Sequence, residues 1–190
     1  MGKSTASRWL AQRGWKIVDA DVIGHSVLEP GTGPYNALVE AFGAEAVCQN
    51  EERGRRVDRA SLGRHVFGNR ERLRTLNKIT HPAIGKQILA QVFWGCLKGQ
   101  RVVVDAALLP YSVPLRMLCG PILAVVCSPS VQRERLKARD GLSDEEVDVR
   151  LASQGPLSHY TSVATKVFRN DGTPDMLAQQ LETWYSERMW

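Results

Sequence analysis

The sequence predicts an α/β fold in which parallel strands are flanked by helices. Short apolar runs rich in β-branched residues alternate with longer stretches of helical spacing along the 190 residues. Arg101–Asp105, with three consecutive valines, is the clearest of these runs, and Ile122–Cys127 is the next. Unbroken apolar runs are typical of strands buried on both faces of a parallel sheet. A chain of this length fits one domain, which we expect to span residues 1–190.

The composition excludes several classes of function. Hydrophobic residues make up 43% of the chain and charged residues 24%, which is the balance of an ordinary globular domain. The net charge of +5 includes no run of five or six like charges, which argues against a nucleic-acid-binding tail. No apolar run reaches the length of a membrane span. The four cysteines lack the C-x-x-C spacing of a zinc site. We therefore expect no nucleic-acid partner and no membrane partner.

The first residues carry part of a phosphate-binding pattern. Gly2–Thr5 reads Gly-Lys-Ser-Thr, the closing part of a P-loop, in which backbone N–H groups and a helix N-terminus surround phosphate. The lysine of that motif reaches the outer phosphates and the serine binds Mg²⁺. Trp9 and Leu10 predict the helix that follows, and Gly14 ends it. The same four letters occur at ordinary helix N-termini, so the motif alone leaves both interpretations open.

Acidic side chains follow the first predicted strand. Lys16–Asp19 is a short strand that ends in an acid, and Asp21 comes two residues later. A helix begins near Val22, and we expect one of the two carboxylates to cap it. The other is a candidate for chemistry, because ligands bind at the carboxyl ends of strands in open α/β sheets.

Helices dominate the next part of the chain. The pattern predicts a turn at 29–34, helices at 35–42, 59–67 and 69–78, and a mostly polar segment at 44–58 whose tip, 51–56, is exposed. We expect His81-Pro82 to break the helical pattern, because the residue before a proline is pushed out of the helical conformation. Pro82 then starts a further helix, which Gly99 ends.

Strands and helices alternate to the end of the chain. The predicted elements are a basic helix after Pro129 closed by Asp140-Gly141, a helix with a Ser143-x-x-Glu146 capping box, a strand at 164–169 and a last helix capped by Thr173-Pro174. Leu177, Leu181 and Trp184 recur at helical spacing and should form the buried face of that last helix.

The polar residues at strand ends and helix starts fit one kind of chemistry. A phosphoryl transfer needs a phosphate cradle, Mg²⁺, a carboxylate near the acceptor hydroxyl and positive charge over the transferred group. The candidates are Lys3 and Ser4 for the cradle, Asp19, Asp21 and Asp105 for the carboxylate, and Arg135 and Arg139, one helical turn apart, for the positive charge. Plainer interpretations stay open: Asp105 as a loop cap, the arginines as solvated surface charges and His81 as a turn residue.

Seven short motifs occur along the chain. They are Gly2–Thr5, Val18-Asp19-Ala20-Asp21, His81-Pro82, Val104–Leu109, Gln132-x-x-Arg135-Leu136-x-x-Arg139, Gln154-x-Pro156-Leu157 and Asn170-x-Gly172. Their types and order resemble those of the dephospho-coenzyme A kinase family, and they span nearly the whole chain. The resemblance implies the P-loop NTPase fold of the nucleoside-monophosphate-kinase type, with a five-stranded parallel sheet. It also implies a helical substrate-binding insert at about residues 30–98 and a lid at about residues 130–157.

The resemblance also implies an activity and a set of site residues. The activity is ATP-dependent phosphorylation of the ribose 3′-hydroxyl of dephospho-coenzyme A, the last step of coenzyme A synthesis, with ATP and Mg²⁺ as cofactors. The implied catalytic residues are Asp21, Lys3 and Arg139. The implied ATP-binding residues are Gly2, Lys3, Ser4, Thr5, Arg139 and Asn170, with Ser4 at Mg²⁺. The implied substrate-binding residues are Asp19, Asp21, His81, Asp105, Leu108 and Leu109.

Some positions depart from the family pattern. Ala107 replaces the usual proline of the Asp-x-Pro-Leu-Leu turn, Pro110-Tyr111 replaces its Phe-Glu, His25 stands where a basic residue is common, and Thr165 replaces an acid. The first P-loop glycine and the strand that feeds it would precede Met1. We therefore expect an incomplete copy of a longer protein, aggregation-prone and nearly inactive when expressed alone.

Two other functions remain as alternatives from the sequence. One is a different P-loop kinase of a nucleotide or small alcohol. The other is a non-catalytic protein that keeps the fold and the substrate pocket and only binds. We expect a monomer that acts in the cytoplasm, or in the mitochondrion if a targeting segment lies upstream.

Overall fold

The computed structural model describes residues 2–43, 47–50, 54–66, 69–107, 109, 112–152 and 155–188. The chain forms two compact units, which are described one at a time. The first unit combines Met1–Trp15 with Ala107–Trp190, and the second is Lys16–Ala106.

Helices and short strands alternate within the described residues. The helices are α1 (Lys3–Ala11), α2 (Ala20–Ser26), α3 (Gly33–Phe42), α4 (Arg59–Val66), α5 (Arg70–Leu97), α6 (Val113–Leu118), α7 (Pro129–Asp140), α8 (Asp144–Ala152), α9 (Leu157–Thr161) and α10 (Pro174–Ser186). The strands are β1 (Lys16–Asp19), β2 (Val47–Asn50), β3 (Gly54–Val57), β4 (Val102–Asp105), β5 (Leu123–Val126) and β6 (Lys166–Arg169). In the described ranges no helix is long and apolar enough to cross a membrane.

The second unit is built on one pair of parallel strands and the long helix α5. β1 pairs with β4 in a register that sets Lys16 opposite Val102 and Asp19 opposite Asp105. Helix α5 packs against both strands and against α2, α3 and α4. Val18 and Ile88 are almost completely buried. This register brings Asp19 and Asp105, the last residues of the two strands, to the same edge of the sheet.

The expected break at His81-Pro82 is wrong, because α5 runs without interruption from Arg70 to Leu97 with Pro82 inside it. Proline has no N–H to donate to the carbonyl of Lys78, which costs the helix one bond. Packing on both sides of the proline keeps the helix continuous. Before it, Ala41 and Phe42 at the end of α3 line one cavity with Glu71, Arg72 and Thr75 of α5. After it, α2 approaches so closely that a Cβ built at Gly24 would lie 3.6 Å from Ile84 Cδ1.

The polar segment at 44–58 holds a hairpin that the sequence pattern did not predict. β2 and β3 pair antiparallel, with Val47 opposite Val57 and Asn50 opposite Gly54. Of the expected exposed tip at 51–56, the last three residues lie in β3 and Arg56 is exposed, while 51–53 lie outside the described residues. Backbone hydrogen bonds between strands do not require the alternation of apolar side chains by which strands are recognised.

The first unit is organised around the parallel pair β5–β6. Leu123 lies opposite Lys166 and Val126 opposite Arg169. Helix α10 packs against β6, and α1 packs against β5 and α10. The core predicted for the last helix is confirmed, since Leu177, Leu181 and Trp184 are all buried. The Trp184 and Phe168 rings meet edge to face with their centroids 6.0 Å apart.

The predicted architecture of parallel strands flanked by helices is confirmed. The resemblance implies five parallel strands, and the described residues hold four, in the two separate pairs β1–β4 and β5–β6.

Two predicted helix ends are confirmed in atomic detail. Gly141 closes α7 in the left-handed conformation with φ 65°. At the start of α8, Glu146 N–H donates to Ser143 Oγ and Ser143 N–H donates to Glu146 Oε2.

Candidate functional site

Gly-Lys-Ser-Thr opens helix α1, as the sequence predicts. Gly2 is the N-cap residue in the left-handed conformation, with φ 107°, and its carbonyl accepts from the N–H groups of Thr5 and Ala6 at 3.0 and 3.1 Å. Lys3 and Thr5 are half-buried and Ser4 is exposed. A positive φ favours glycine. The N-terminal turn of such a helix also carries positive partial charge, which suits a phosphate group.

Asn170 lies directly against Gly2. A Cβ built on Gly2 would overlap the side-chain amide nitrogen of Asn170 and would come within 3.2 Å of Val125 Cγ1. Asn170 is buried, and its N–H donates to the Val126 carbonyl at 2.7 Å. The absence of a side chain at position 2 therefore lets the end of β6 approach the start of α1. Gly2 and Asn170, two predicted ATP-binding residues that are 168 positions apart in sequence, are neighbours in the first unit.

Arg135 fixes the turn that carries Asn170. Its guanidinium donates to the carbonyl of Asn170 at 2.7 Å and to the carbonyl of Gly172 at 2.6 Å. The sequence places Arg135 and Arg139 on one face of a helix as positive charges for phosphate. The structure gives them different surroundings, because Arg135 is half-buried on backbone carbonyls. No local sequence signal predicts this contact, which joins residues 35 and 37 positions apart.

Arg139, one turn further along α7, is exposed and paired with its neighbour. Its Nε and Nη2 atoms donate to the two carboxylate oxygens of Asp140 at 2.7 and 2.8 Å. Arg150 Nη1 of α8 reaches Asp140 Oδ2 at 3.1 Å. The hydrogen bond from Arg139 is the main cause that lowers the pKa of Asp140, with a smaller contribution from Arg150. The same bond raises the pKa of Arg139.

A second ion-pair cluster joins α7 to α8. Arg133 Nη2 donates to Asp144 Oδ1 at 2.8 Å and its Nη1 donates to Asp148, while Lys137 Nζ donates to Asp144 Oδ2 at 2.6 Å. Hydrogen bonds from Lys137 and Arg133 lower the pKa of Asp144. The bond from Arg133 lowers the pKa of Asp148. Both carboxylates are therefore charged at neutral pH and hold the two helices of the predicted lid together.

The three carboxylates predicted for the site, Asp19, Asp21 and Asp105, belong to the second unit. Asp19 caps α2, because its Oδ1 accepts from the N–H groups of Asp21 and Val22 at 2.8 and 3.1 Å. This confirms the expectation that one of the two acids is a cap. Asp21 is exposed in the first turn of α2. Asp105, opposite Asp19 in the strand register, is 5% exposed. Among the described side chains, no group of three or more His, Cys, Asp or Glu is placed to hold a metal ion.

The remaining predicted substrate residues are less closely grouped. His81 is exposed in the middle of α5, rather than in a turn between two helices. Leu109 is half-buried, and Leu108 lies outside the described residues. Of the predicted positions, Gly2 and Asn170 meet in the first unit. In the second unit Asp19 and Asp105 share one sheet edge, and Asp21 follows Asp19 by two residues in α2. The sequence pattern did not predict that Asp140 pairs with both Arg139 and Arg150.

Comparisons with known sequences agree with the motifs. The family model of dephospho-CoA kinase matches residues 1–175. A dephospho-CoA kinase domain-containing protein of Danio rerio is 36% identical over 187 residues, which cover 98% of this chain and 80% of the relative. A dephospho-CoA kinase of Carboxydothermus hydrogenoformans is 35% identical over 190 residues, which cover 100% of this chain and 90% of the relative.

Solved structures agree with the fold. The crystal structure of TT1252 from Thermus thermophilus superposes with a TM-score of 0.80 at 27% identity, covering 100% of this chain and 93% of that one. A dephospho-CoA kinase from Campylobacter jejuni superposes with a TM-score of 0.70 at 25% identity, covering 98% of this chain and 90% of that one. Similarity of this extent covers both compact units.

Proposed function

Because the chain belongs to the dephospho-CoA kinase family, we propose that it transfers the γ-phosphoryl group of ATP to the ribose 3′-hydroxyl of dephospho-coenzyme A. Members of this family are ATP-using phosphotransferases of the last step of coenzyme A biosynthesis. The assignment of roles depends on one observation, that Asp19 and Asp21 have different surroundings. Asp19 caps α2, and Asp21, two residues later in the first turn of the same helix, has an exposed side chain.

The start of α1 is the phosphate cradle in this proposal. Lys3 binds the outer phosphate oxygens, and the N–H groups that precede Thr5, together with the positive end of the helix, add to the electrostatic attraction for phosphate there. Mg²⁺ fits this region, because Ser4 is exposed in the first turn of α1 and its hydroxyl is an oxygen ligand of the kind that Mg²⁺ accepts beside phosphates and water. The ion would neutralise charge on the phosphate oxygens.

Asp21 is the residue that handles the acceptor hydroxyl. Its carboxylate accepts the proton as the 3′-oxygen forms its bond to phosphorus and the bond to the departing ADP oxygen breaks. Asp19 supports it by fixing the first turn of α2 through two N–H groups. Asp105, His81 and the Leu108–Leu109 turn are assigned to the substrate pocket by the family resemblance alone.

In this proposal, residues of the first unit bind the adenine base and the transferred phosphoryl group of ATP. Asn170, held against Gly2, lies near the adenine. Arg139 places positive charge over the transferring group, where charge stabilisation matters most in the transition state. That the protein acts as a monomer in the cytoplasm stays a prediction.

The test is an Asp21→Asn variant with a matched control. We expect turnover to fall by roughly 10²–10⁴-fold with little change in ATP affinity, because only the proton acceptor is lost. Asp175 is the control, since it is also exposed and occupies the same position of the first turn in α10. Asp175→Asn should remove the same favourable interaction between a carboxylate and a helix N-terminus, and it should leave turnover unchanged. Near-normal turnover of Asp21→Asn would remove Asp21 from the mechanism.

A further inference from the structure

The last turns of α5 carry large apolar side chains on a face that is open to solvent. Leu89, Phe93 and Leu97 follow one another at four-residue intervals, and Trp94 stands next to Phe93. The exposed fractions are 48% for Leu89, 61% for Phe93, 55% for Trp94 and 65% for Leu97. The rings of Phe93 and Trp94 meet edge to face with their centroids 5.7 Å apart. These four residues form the apolar stripe of α5.

The opposite face of the same turns belongs to the core of the second unit. Ile88 is almost completely buried. Gly95 is also buried, and a Cβ built on it would lie 2.6 Å from Val102 Cγ2 of β4. The end of α5 is therefore apolar both toward the sheet and away from it. A helix that is apolar all round is normally covered on all sides, so the stripe is expected to have a partner surface.

The charges around the stripe have one sign. Residues 72–104 include no Asp and no Glu. Lys86 comes three residues before the stripe and Lys98 follows it directly, and both side chains are exposed. The other basic residues of this range are Arg72, Arg74, Lys78 and Arg101. The partner surface that fits the stripe is therefore negatively charged.

The size of the stripe argues against a protein as that partner. Leu89 and Leu97 are eight residues apart, which is about 12 Å along the axis of a helix about 10 Å wide, so the footprint is on the order of 100–200 Å². A specific protein interface takes roughly 800 Å² from each partner. A second copy of this chain would also bring its own Lys86 and Lys98 to the contact, where like charges repel.

We propose that the apolar stripe of α5 is a membrane-contact surface, which enters the boundary between headgroups and acyl chains of a bilayer that contains anionic lipid. Helices that lie in this boundary place Trp, Phe and Leu toward the acyl chains and basic residues toward the headgroups. Lys86 and Lys98 have long aliphatic stems that let their ammonium groups reach anionic headgroups beside a buried stripe.

This contact differs from the kind of membrane partner that the sequence argues against. The length of apolar runs bears on segments that cross a bilayer, whereas contact through one helix face requires no such run. The binding is reversible, because its strength depends on the small apolar area of the stripe and on its charges. It is also independent of the assigned reaction, in which no residue of the stripe takes part.

Vesicle flotation with the whole chain tests the proposal, because aggregated protein does not float. The probes are vesicles of phosphatidylcholine alone and vesicles of phosphatidylcholine and phosphatidylserine in equal parts. We expect the wild-type protein to bind the mixed vesicles about tenfold more tightly or better, since each lysine near an anionic surface contributes about fivefold. High salt should reduce this preference.

Two variants separate the apolar and the charged contributions. Phe93→Ser/Trp94→Ser should weaken binding to the mixed vesicles by about tenfold or more, because most of the aromatic surface is lost. Lys86→Gln/Lys98→Gln should weaken it by about fivefold or more and leave binding to phosphatidylcholine unchanged. This second variant keeps the stripe, so it tests the proposal even if the aromatic replacements disturb folding.

Matched controls remove the same kinds of side chain elsewhere. Val149→Ser/Met176→Ser takes away two exposed apolar side chains outside α5. Lys166→Gln takes away an exposed lysine of β6. Vesicle binding by both controls should equal that of the wild type.

Several results would overturn the proposal. They are a wild-type protein that does not float with the mixed vesicles, equal affinity for both kinds of vesicle, and unchanged binding in Phe93→Ser/Trp94→Ser. A wild-type dimer in sedimentation velocity that becomes a monomer in the same variant would show a self-association surface instead. Turnover of dephospho-coenzyme A is measured separately without vesicles. A wild-type protein that floats as expected but has no turnover leaves the membrane contact standing and removes the assigned reaction.

Discussion

Replacing Arg135 by methionine should loosen the turn that carries Asn170. Methionine keeps an unbranched apolar side chain in the half-buried position and removes both donors to the carbonyls of Asn170 and Gly172. A hydrogen bond from a charged group contributes about 1.5–3 kcal/mol. Two such bonds set an upper limit of about 3–6 kcal/mol on that scale. Because Arg135 is half-buried, water reaches part of the site and replaces some of this interaction.

We therefore expect the free energy of unfolding of the first unit to fall by about 2 kcal/mol, close to one charged hydrogen bond. The loss should be local in origin. Asn170 N–H donates to Val126, so hydrogen exchange at this amide should speed up in Arg135→Met. ATP affinity should fall with it, since Asn170 lies against Gly2. Arg135→Lys should retain part of the stability, because an ammonium reaches one carbonyl as a point charge.

Urea unfolding followed by tryptophan fluorescence measures the free energy, since Trp184 packs on Phe168 in the core of this unit. Arg133→Met is the control. Arg133 lies on the same helix but binds exposed carboxylates, so its loss should have a smaller effect. An Arg135→Met protein with wild-type unfolding energy and unchanged exchange at Asn170 would show that the two carbonyl contacts contribute nothing.

Two further predictions concern a helix cap and the acid range. Asp19→Ala should lower the free energy of unfolding of the second unit by about 1 kcal/mol in thermal melts, whereas Asp19→Asn keeps an acceptor for the two N–H groups and should cost less; equal losses would exclude capping. Cationic partners lower the pKa of Asp144 and Asp148, so their stabilisation is fully present above the unfolded value of about 3.9 and is lost as pH falls through the lower folded values. The melting-temperature difference between wild type and Asp144→Asn/Asp148→Asn should therefore be constant near pH 6 and shrink progressively below about pH 4; a difference that stays at its neutral-pH size throughout the acid range would contradict the ion-pair origin.

The local signals in the sequence were sufficient for most elements. Apolar runs located β4 and β5, and helical spacing located the buried face of α10. Glycine and serine at helix ends located the close of α7 and the capping box of α8. All of these depend on interactions between residues a few positions apart, whose geometry is set by backbone hydrogen bonding and side-chain period. The motif residues that carry the family resemblance are of the same local kind.

Tertiary structure decided the points at which local preference and long-range packing disagree. Proline predicted a helix break, but contacts of α5 with other helices on both sides of Pro82 outweigh one missing hydrogen bond. The hairpin β2–β3 forms through backbone pairing in a segment without an apolar pattern. Short-range preferences are worth a fraction of a kcal/mol to a few kcal/mol, so packing is able to override them.

The same distinction applies to the candidate site. The sequence by itself determined which residue types are available and that Asp19 or Asp21 would cap α2. Only the fold assigned the cap to Asp19, set Asn170 against Gly2, and gave Arg135 two backbone carbonyls while Arg139 and Arg150 share Asp140. The physical reason is that a side chain's role depends on which partners lie within hydrogen-bonding distance. For charged groups on different elements, those partners are fixed by how the elements pack and not by spacing along the chain.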